Sequence, residues 1–170
     1  MKPLKVLGLV IWGIIAAGVG FGYSYWAVNN GLQIPITGYS LSISVAFIAV
    51  VLVILVIPIW KYKKNLKKAL EAKDNHIKRN TPIDPFYAVR VLVLAKASAL
   101  ASAMFIGWHS GVLIKQLTAP VVVPEGIVPN VVAGVVSVVL LVVALVVIEV
   151  CKLPGDGEQL NKAPSKPVIT

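Results

Sequence analysis

The chain has 170 residues, of which 58% are hydrophobic and only 14% are charged. A soluble domain of this length could not bury so much apolar surface, which excludes a soluble globular enzyme or binding domain. The formal net charge is +9, and the basic residues flank the apolar segments. This distribution is typical of residues that set the orientation of a membrane protein, so we expect no nucleic-acid partner.

The first predicted membrane helix covers residues 6–28. Its apolar run is longer than the roughly 7–15 residues of a cleaved signal peptide, and no A-x-A-like site follows it, so we expect a retained helix. Small residues recur at spacing four and let helices pack closely in lipid. One line is Ala16, Gly20 and Ser24, and we predict a helix-packing face on a second line at Gly18 and Gly22. The alternative is that glycine is simply common in membrane helices.

The second predicted helix, residues 41–60, is almost uniformly apolar, and a basic segment over 61–80 follows it. This segment could be an amphipathic helix lying on an anionic membrane surface. It could also be a solvated extension of the second helix whose charges only fix the topology. In either case we predict a membrane-surface basic patch, formed by Lys61, Lys63, Lys64, Lys67 and Lys68.

The third predicted helix, residues 85–117, follows Asp84, which suits an N-cap before a proline in the first turn. It carries the densest run of small side chains in the chain, which extends the predicted helix-packing face to Ala95, Ala99, Ala103, Gly107 and Gly111. An extended loop over 118–130 should lead to the fourth helix, residues 131–151.

These four helices define one all-α transmembrane domain, a four-helix bundle over residues 1–153, with a disordered tail over 154–170. Lysine and arginine concentrate at one end of the predicted bundle, whereas the other end has only Lys115 and Glu125. The positive-inside rule then places both termini in the cytoplasm and the domain in the plasma membrane.

Charged residues inside the third helix need an explanation, because a cation in a bilayer costs roughly 2.5–3.5 kcal/mol on insertion scales. Arg90 should lie at the inner boundary, level with Glu149, and Lys96 about 8 to 9 Å deeper. We predict a charge cluster of Arg90, Lys96 and Glu149. It either locks two helices together or holds an anionic lipid headgroup. We expect His109 to be a packed or interfacial residue, since a metal site needs further ligands beside it.

The familiar motifs of catalysis are missing: the chain has no G-x-S-x-G, H-E-x-x-H, P-loop or dinucleotide sequence. We therefore expect no catalytic, cofactor-binding or metal-binding residues. The function favoured is that of an accessory or scaffold subunit that docks to a larger membrane or cell-envelope complex, with a membrane protein or a second copy as partner. The alternative is binding or transport of an anionic lipid or small solute at the inner leaflet through Arg90, Lys96 and Glu149.

Two stretches resemble a known family: DPFYAVRVLVLAKASALASAMFIGWHSGVLI in the third helix and IEVCKLP at the end of the fourth. The family is an actinobacterial group of small four-pass membrane proteins with no established activity, the domain-of-unknown-function family thirty-one-eighty. The likeness is strongest from Thr81 to Pro154. His109 departs from it, because the resemblance implies an aromatic such as tyrosine there. It supports the topology and the Arg90, Lys96 and Glu149 cluster, and implies no mechanism.

Overall fold

The four predicted helices are present in the computed structural model, which describes residues 6–32, 34, 35, 37–71, 85–119 and 124–151. They are α1 (Val6–Asn29), α2 (Tyr39–Glu71), α3 (Pro85–Leu117) and α4 (Pro124–Cys151). Each is long and apolar enough to cross a membrane, and the described part of the chain contains no strand. For the described residues, the prediction of an all-α fold with four helices long and apolar enough to span a membrane is confirmed.

Helix α2 is longer than predicted, because it continues past Trp60 through the first part of the basic segment to Glu71. Residues 61–71 contain no glycine or proline, and their lysines, leucines and alanine favour a helix. Over this range the segment is an extension of α2. Lys64 Nζ lies 5.4 Å from the centre of the Trp60 ring, one turn back along the helix. The remainder of the predicted basic segment lies outside the described residues, as do Asp84, the tail over 154–170 and the lysines near both termini.

Helix α4 begins at Pro124, seven residues before the predicted start, so the expected extended loop over 118–130 is wrong in its second half. Proline is well tolerated in a first turn, whose N–H groups have no partner within the helix. Glu125 in the same turn interacts favourably with the helix dipole. Pro129 was expected to precede the helix but lies within it, where it removes a single backbone hydrogen bond.

Helix α3 is the centre of the fold, since it contacts all three other helices. Helix α4 packs between α3 and α2, while α2 touches α3 only lightly, so these three form one body. Helix α1 packs against α3 and against no other described helix. The bundle is therefore open on the side where α1 and α2 flank α3 without meeting.

The core of the fold is built from small and branched side chains. Ala95 and Ala99 of α3 are fully buried and Ala103 nearly so. They pack with buried residues of α2 and α4 in one cluster, chiefly Leu52, Leu140, Ala144 and Val147. Small side chains on α3 allow this close approach, because in lipid the packing itself must hold the helices together.

Candidate functional site

Helices α1 and α3 touch backbone to backbone at four glycines. A Cβ atom on Gly107 would collide with the carbonyl group of Gly13, and one on Gly111 with the carbonyl oxygen of Ala17. On α1, a Cβ on Gly20 would lie 2.6 Å from the carbonyl oxygen of Trp108. Glycine is thus required on both sides of this contact, which holds α1 on the bundle.

The predicted packing face of Gly18 and Gly22 is not used between the described helices of this chain, and its packing on a partner stays a prediction. A Cβ on Gly18 or Gly22 would meet no neighbouring atom within 4 Å, and both residues are exposed. With 3.6 residues per turn, these two lie on the side of α1 opposite to Gly13 and Gly20. The small-residue line that packs on α3 is Ala16, Gly20 and Ser24, in which Gly20 and Ser24 are buried.

The predicted charge cluster lies at the end of the bundle where α3 begins and α4 ends. The two helices run antiparallel, since a short connection over 118–123 joins them. Arg90 and Glu149 are both exposed, and Lys96 is half-buried. The three residues are thus at one end of the bundle, and Arg90 and Glu149 lie at the surface of the protein. The direct ion pair between them stays a prediction.

A chain of buried polar side chains crosses the opposite end of the bundle. Gln116 Nε2 donates to the carbonyl oxygen of Gly126 at 3.4 Å, and Asn130 Nδ2 donates to Gln116 Oε1 at 3.1 Å. Thr37 Oγ1 donates to Asn130 Oδ1 at 2.7 Å and lies 3.5 Å from Nδ1 of His109. Asn130 is fully buried, while His109 is 2% exposed and Gln116 7%.

This network joins α3 and α4, which are neighbours in sequence, to the segment before α2, which is more than 70 residues away from both. Sequence reasoning missed it, because each of these residue types taken singly also suits a helix end or a loop. A signal was nevertheless present. Gln116 and His109 lie seven residues apart on α3, so they occupy the same face of the helix two turns apart.

A backbone carbonyl fixes the direction of every hydrogen bond in this chain. The Gly126 oxygen can only accept, so Gln116 must turn its Nε2 towards it and its Oε1 towards Asn130. Asn130 then presents Oδ1 to Thr37, whose single hydroxyl hydrogen is used there. Thr37 can therefore only accept from His109, which places the proton of a neutral imidazole on Nδ1.

His109 is also part of the wall of a cavity of about 340 Å³ between α1 and α3. Helix α1 contributes Trp12, Ile15, Ala16 and Val19, and α3 contributes Met104, Phe105, Trp108 and His109. Thr37 and Leu41 complete the wall at the start of α2. Several of the side chains in this wall are about half exposed, so the cavity opens sideways from the bundle. It is an apolar cleft with His109 and Thr37 as its polar corner.

Aromatic residues surround this end of α1 and α3. The rings of Tyr23 and Trp108 are 5.9 Å apart, and Tyr23 lies 6.1 Å from Trp26. Lys115 Nζ is 4.9 Å from the centre of the Tyr25 ring. Tyrosine, tryptophan and lysine concentrate where a membrane meets water. These aromatic residues lie at the same end of the bundle as the polar corner of the cleft.

Among the described residues, no three His, Cys, Asp or Glu side chains come together in an arrangement that could hold a metal ion. Cys151, the single cysteine, is buried at the end of α4 with its thiol free. The cleft and the hydrogen-bonded chain beside it are thus the best-defined candidate site of the described structure. Their side chains can bind and orient a molecule.

Comparison with known families gives a match over residues 9–155, to a family described as "Protein of unknown function (DUF3180)". The chain belongs to this family. The match confirms the resemblance and extends it, since it includes all four helices where the clearest likeness began at Thr81. No curated protein and no solved structure matches the chain. The description of the DUF3180 family assigns it no activity.

Proposed function

We propose that this DUF3180 protein is a non-enzymatic accessory or scaffold subunit of the plasma membrane, which docks to a larger membrane or cell-envelope complex. The observation that carries the proposal is the open glycine face of α1. Gly18 and Gly22 are exposed and have no neighbouring atom within 4 Å of an added Cβ. A face of this kind admits the backbone of another helix.

Helix α1 has two glycine faces on opposite sides, and only one is used within the chain. Gly13 and Gly20 hold it against α3, which is its sole helical neighbour in the described part of the chain. In lipid, two helices associate through close packing, and small residues four apart allow it. Because Gly18 and Gly22 are four residues apart on the outward side, α1 is suited to join α3 to a partner helix, from another membrane protein or a second copy.

The proposed orientation places both termini in the cytoplasm. The end of the bundle at which α2 finishes and α3 begins carries Lys61, Lys63, Lys64 and Arg90, whereas the described part of the opposite end carries Lys115 and Glu125. An excess of Lys and Arg marks the cytoplasmic side of a membrane protein. The aromatic residues around Trp108 would then lie at the outer boundary.

The test is to enlarge the open glycine face and to measure which proteins stay bound. The full chain carrying Gly18→Ile and Gly22→Ile is purified in a mild detergent from its native membrane, with the wild type beside it. We expect a stoichiometric membrane partner or second copy with the wild type, and its loss with the double variant. Val142→Leu, at an exposed position of α4, is the matched control and should keep the partner. Equal recovery from all three would contradict the proposal.

A second candidate function is recognition of an anionic lipid at the cytoplasmic end. It is favoured by the exposure of Arg90 at the same end of the bundle as the exposed Lys61 and Lys64 of α2, since clustered cations at a membrane surface attract anionic headgroups. Lipid mass spectrometry of the purified chain should then find an anionic lipid that is lost in Arg90→Ala and Lys96→Ala. Lys115→Ala, at the other end of α3, is the control and should retain it. Retention of the lipid by all three variants would exclude a headgroup site at Arg90 and Lys96.

A further inference from the structure

The segment that precedes α2 is fastened to the rest of the bundle through Thr37. Its hydroxyl donates to Oδ1 of Asn130 on α4 at 2.7 Å and lies 3.5 Å from Nδ1 of His109 on α3. Both partners are buried, whereas Thr37 itself is half-buried. One side chain at the entry to α2 is thus held by the pair of helices α3 and α4.

This contact is built for a neutral His109. The fixed directions of the hydrogen bonds place a single proton on Nδ1, and Nε2 is buried with no hydrogen-bond partner among the described residues. A second proton on Nε2 would create a positive charge and an unpaired N–H group in a side chain that is only 2% exposed. Burial strongly disfavours such a charge unless an opposite charge lies beside it.

The elements around His109 bring no opposite charge to it. Helix α1 and residues 30–38 contain no Asp, Glu, Lys or Arg. Helix α4 approaches with Gly134, where an added Cβ would lie 3.8 Å from the Cβ of His109. Its one acidic residue at this end, Glu125, is exposed, and the one cation of α3 here, Lys115, lies over a tyrosine ring of α1. Nδ1 itself faces the hydroxyl of Thr37, which does not titrate.

We propose that His109 and Thr37 form a proton-sensitive latch, which holds the segment before α2 on the bundle while His109 is neutral and releases it when His109 gains a proton. Release gives the charged imidazole access to water at this end of the bundle. Thr37 and Leu41 belong to the wall of the cleft beside α1, so release also opens the cleft. The latch does not depend on the glycine face of α1 or on a partner protein.

The direction of the pH effect follows from the number of bound protons. The released state binds one proton more than the latched state, so lower pH favours release. A histidine in water titrates near pH 6.5. The latch is therefore fully closed above about pH 6.5 and opens progressively below it, by about tenfold per pH unit once His109 is charged in the released state.

The test uses Ser42 as a reporter of release. Ser42 lies in the first turn of α2, and its hydroxyl is buried without a hydrogen-bond partner among the described residues, so Ser42→Cys removes no bond. The full chain with this substitution, in phosphatidylcholine nanodiscs, is treated with a maleimide at pH 7.5 and at pH 5.5, and labelled peptides are quantified by mass spectrometry. Each rate is divided by that of Ser40→Cys, an exposed position in the same turn, which removes the effect of pH on the reagent.

We expect the normalised labelling rate of Ser42→Cys to rise about tenfold from pH 7.5 to pH 5.5, as one histidine that gains its proton only on release requires. Cys151, which is buried at the opposite end of the bundle, reports global unfolding in the same sample and should keep its rate. A rate at position 42 that does not change with pH, or an equal rise at Cys151, would overturn the proposal.

Three variants connect the pH effect to the latch. His109→Asn keeps an N–H donor near the position of Nδ1 but cannot titrate, so labelling should no longer depend on pH. Thr37→Val removes the latch and should label rapidly at both pH values. His76→Asn changes the other histidine of the chain and should keep the tenfold rise. A rise that persists in His109→Asn, or is lost in His76→Asn, would assign the effect to another group and overturn the latch.

Discussion

Gly107 of α3 lies directly against the backbone carbonyl of Gly13 of α1, with no room for a side chain between them. The outward-facing Gly18, about one and a half turns further along α1, has no neighbouring atom within 4 Å of an added Cβ. The same residue type thus serves two different surfaces of one helix. This contrast allows the effect of close packing to be separated from the effect of helix propensity, because alanine favours a helix equally at both positions.

We expect Gly107→Ala to destabilise the protein by about 1–3 kcal/mol, the usual cost of overpacking, since its methyl group would meet a backbone atom that cannot move aside. The measurement is unfolding of the purified protein by titration with a denaturing detergent. Gly18→Ala is the control and should leave the midpoint unchanged or raise it slightly. If both variants unfolded at the wild-type midpoint, α1 and α3 would not be in backbone contact.

Asn130 and Gln116 of the buried polar chain should be energetically coupled, so that their replacements do not act independently on the free energy of unfolding. Asn130→Leu leaves Gln116 Oε1 and Thr37 Oγ1 without their partner, which costs about 1–3 kcal/mol. The double variant with Gln116→Leu removes both ends of one bond, so its effect should be smaller than the sum of the single effects, by about 0.5–3 kcal/mol. Strict additivity in this double-mutant cycle would show that the two amides do not interact.

Tyr87 joins α3 to α2 by donating its hydroxyl hydrogen to the carbonyl oxygen of Leu55 at 3.0 Å. This carbonyl lies one turn before Pro58, whose ring disturbs the helix there. Tyr87→Phe should therefore lower the free energy of unfolding by about 0.5–1.5 kcal/mol. Tyr39→Phe, at an exposed position of the same helix pair, should have no effect. The opposite ranking of the two variants would rule out this bond.

The proposed orientation predicts which cysteines a membrane-impermeant maleimide can reach. In a Cys151→Ala background, Lys115→Cys should be labelled in intact cells, since it lies at the end without a basic segment. Lys64→Cys should be labelled only after the membrane has been opened, because the basic end of the bundle faces the cytoplasm. A reversed pattern would invert the topology and place the aromatic residues around Trp108 inside the cell.

The predicted pair of Arg90 and Glu149 can be tested by exchange of charge. Since both side chains are exposed, a direct ion pair should contribute only about 0–1 kcal/mol. We expect Arg90→Glu and Glu149→Arg each to reduce the amount of folded protein in the membrane, and the double exchange to restore it. The readout is protein recovered as a single peak by size exclusion. A double variant that is no better than the worse single one would argue against direct pairing.

Much of the fold followed from the sequence because the membrane requires it. A long apolar helix satisfies its own backbone hydrogen bonds in lipid, so the four candidate spans and their number were readable from composition along the chain. The small-residue line over Ala95, Ala99 and Ala103 was readable for a related reason, since in lipid it is close packing that selects small side chains. The start of α4 was misread, because Pro129 followed by Asn130 looks like a boundary.

The sequence by itself determined that this protein has four helices long and apolar enough to cross a membrane. Only the tertiary structure decided which face of α1 packs on α3, and that His109, Thr37, Asn130 and Gln116 form one chain at the edge of a cleft. The physical reason is that hydrophobicity acts on each segment separately. Helix pairing and buried hydrogen bonds depend on contacts between residues far apart in sequence, and periodicity within one segment cannot specify them.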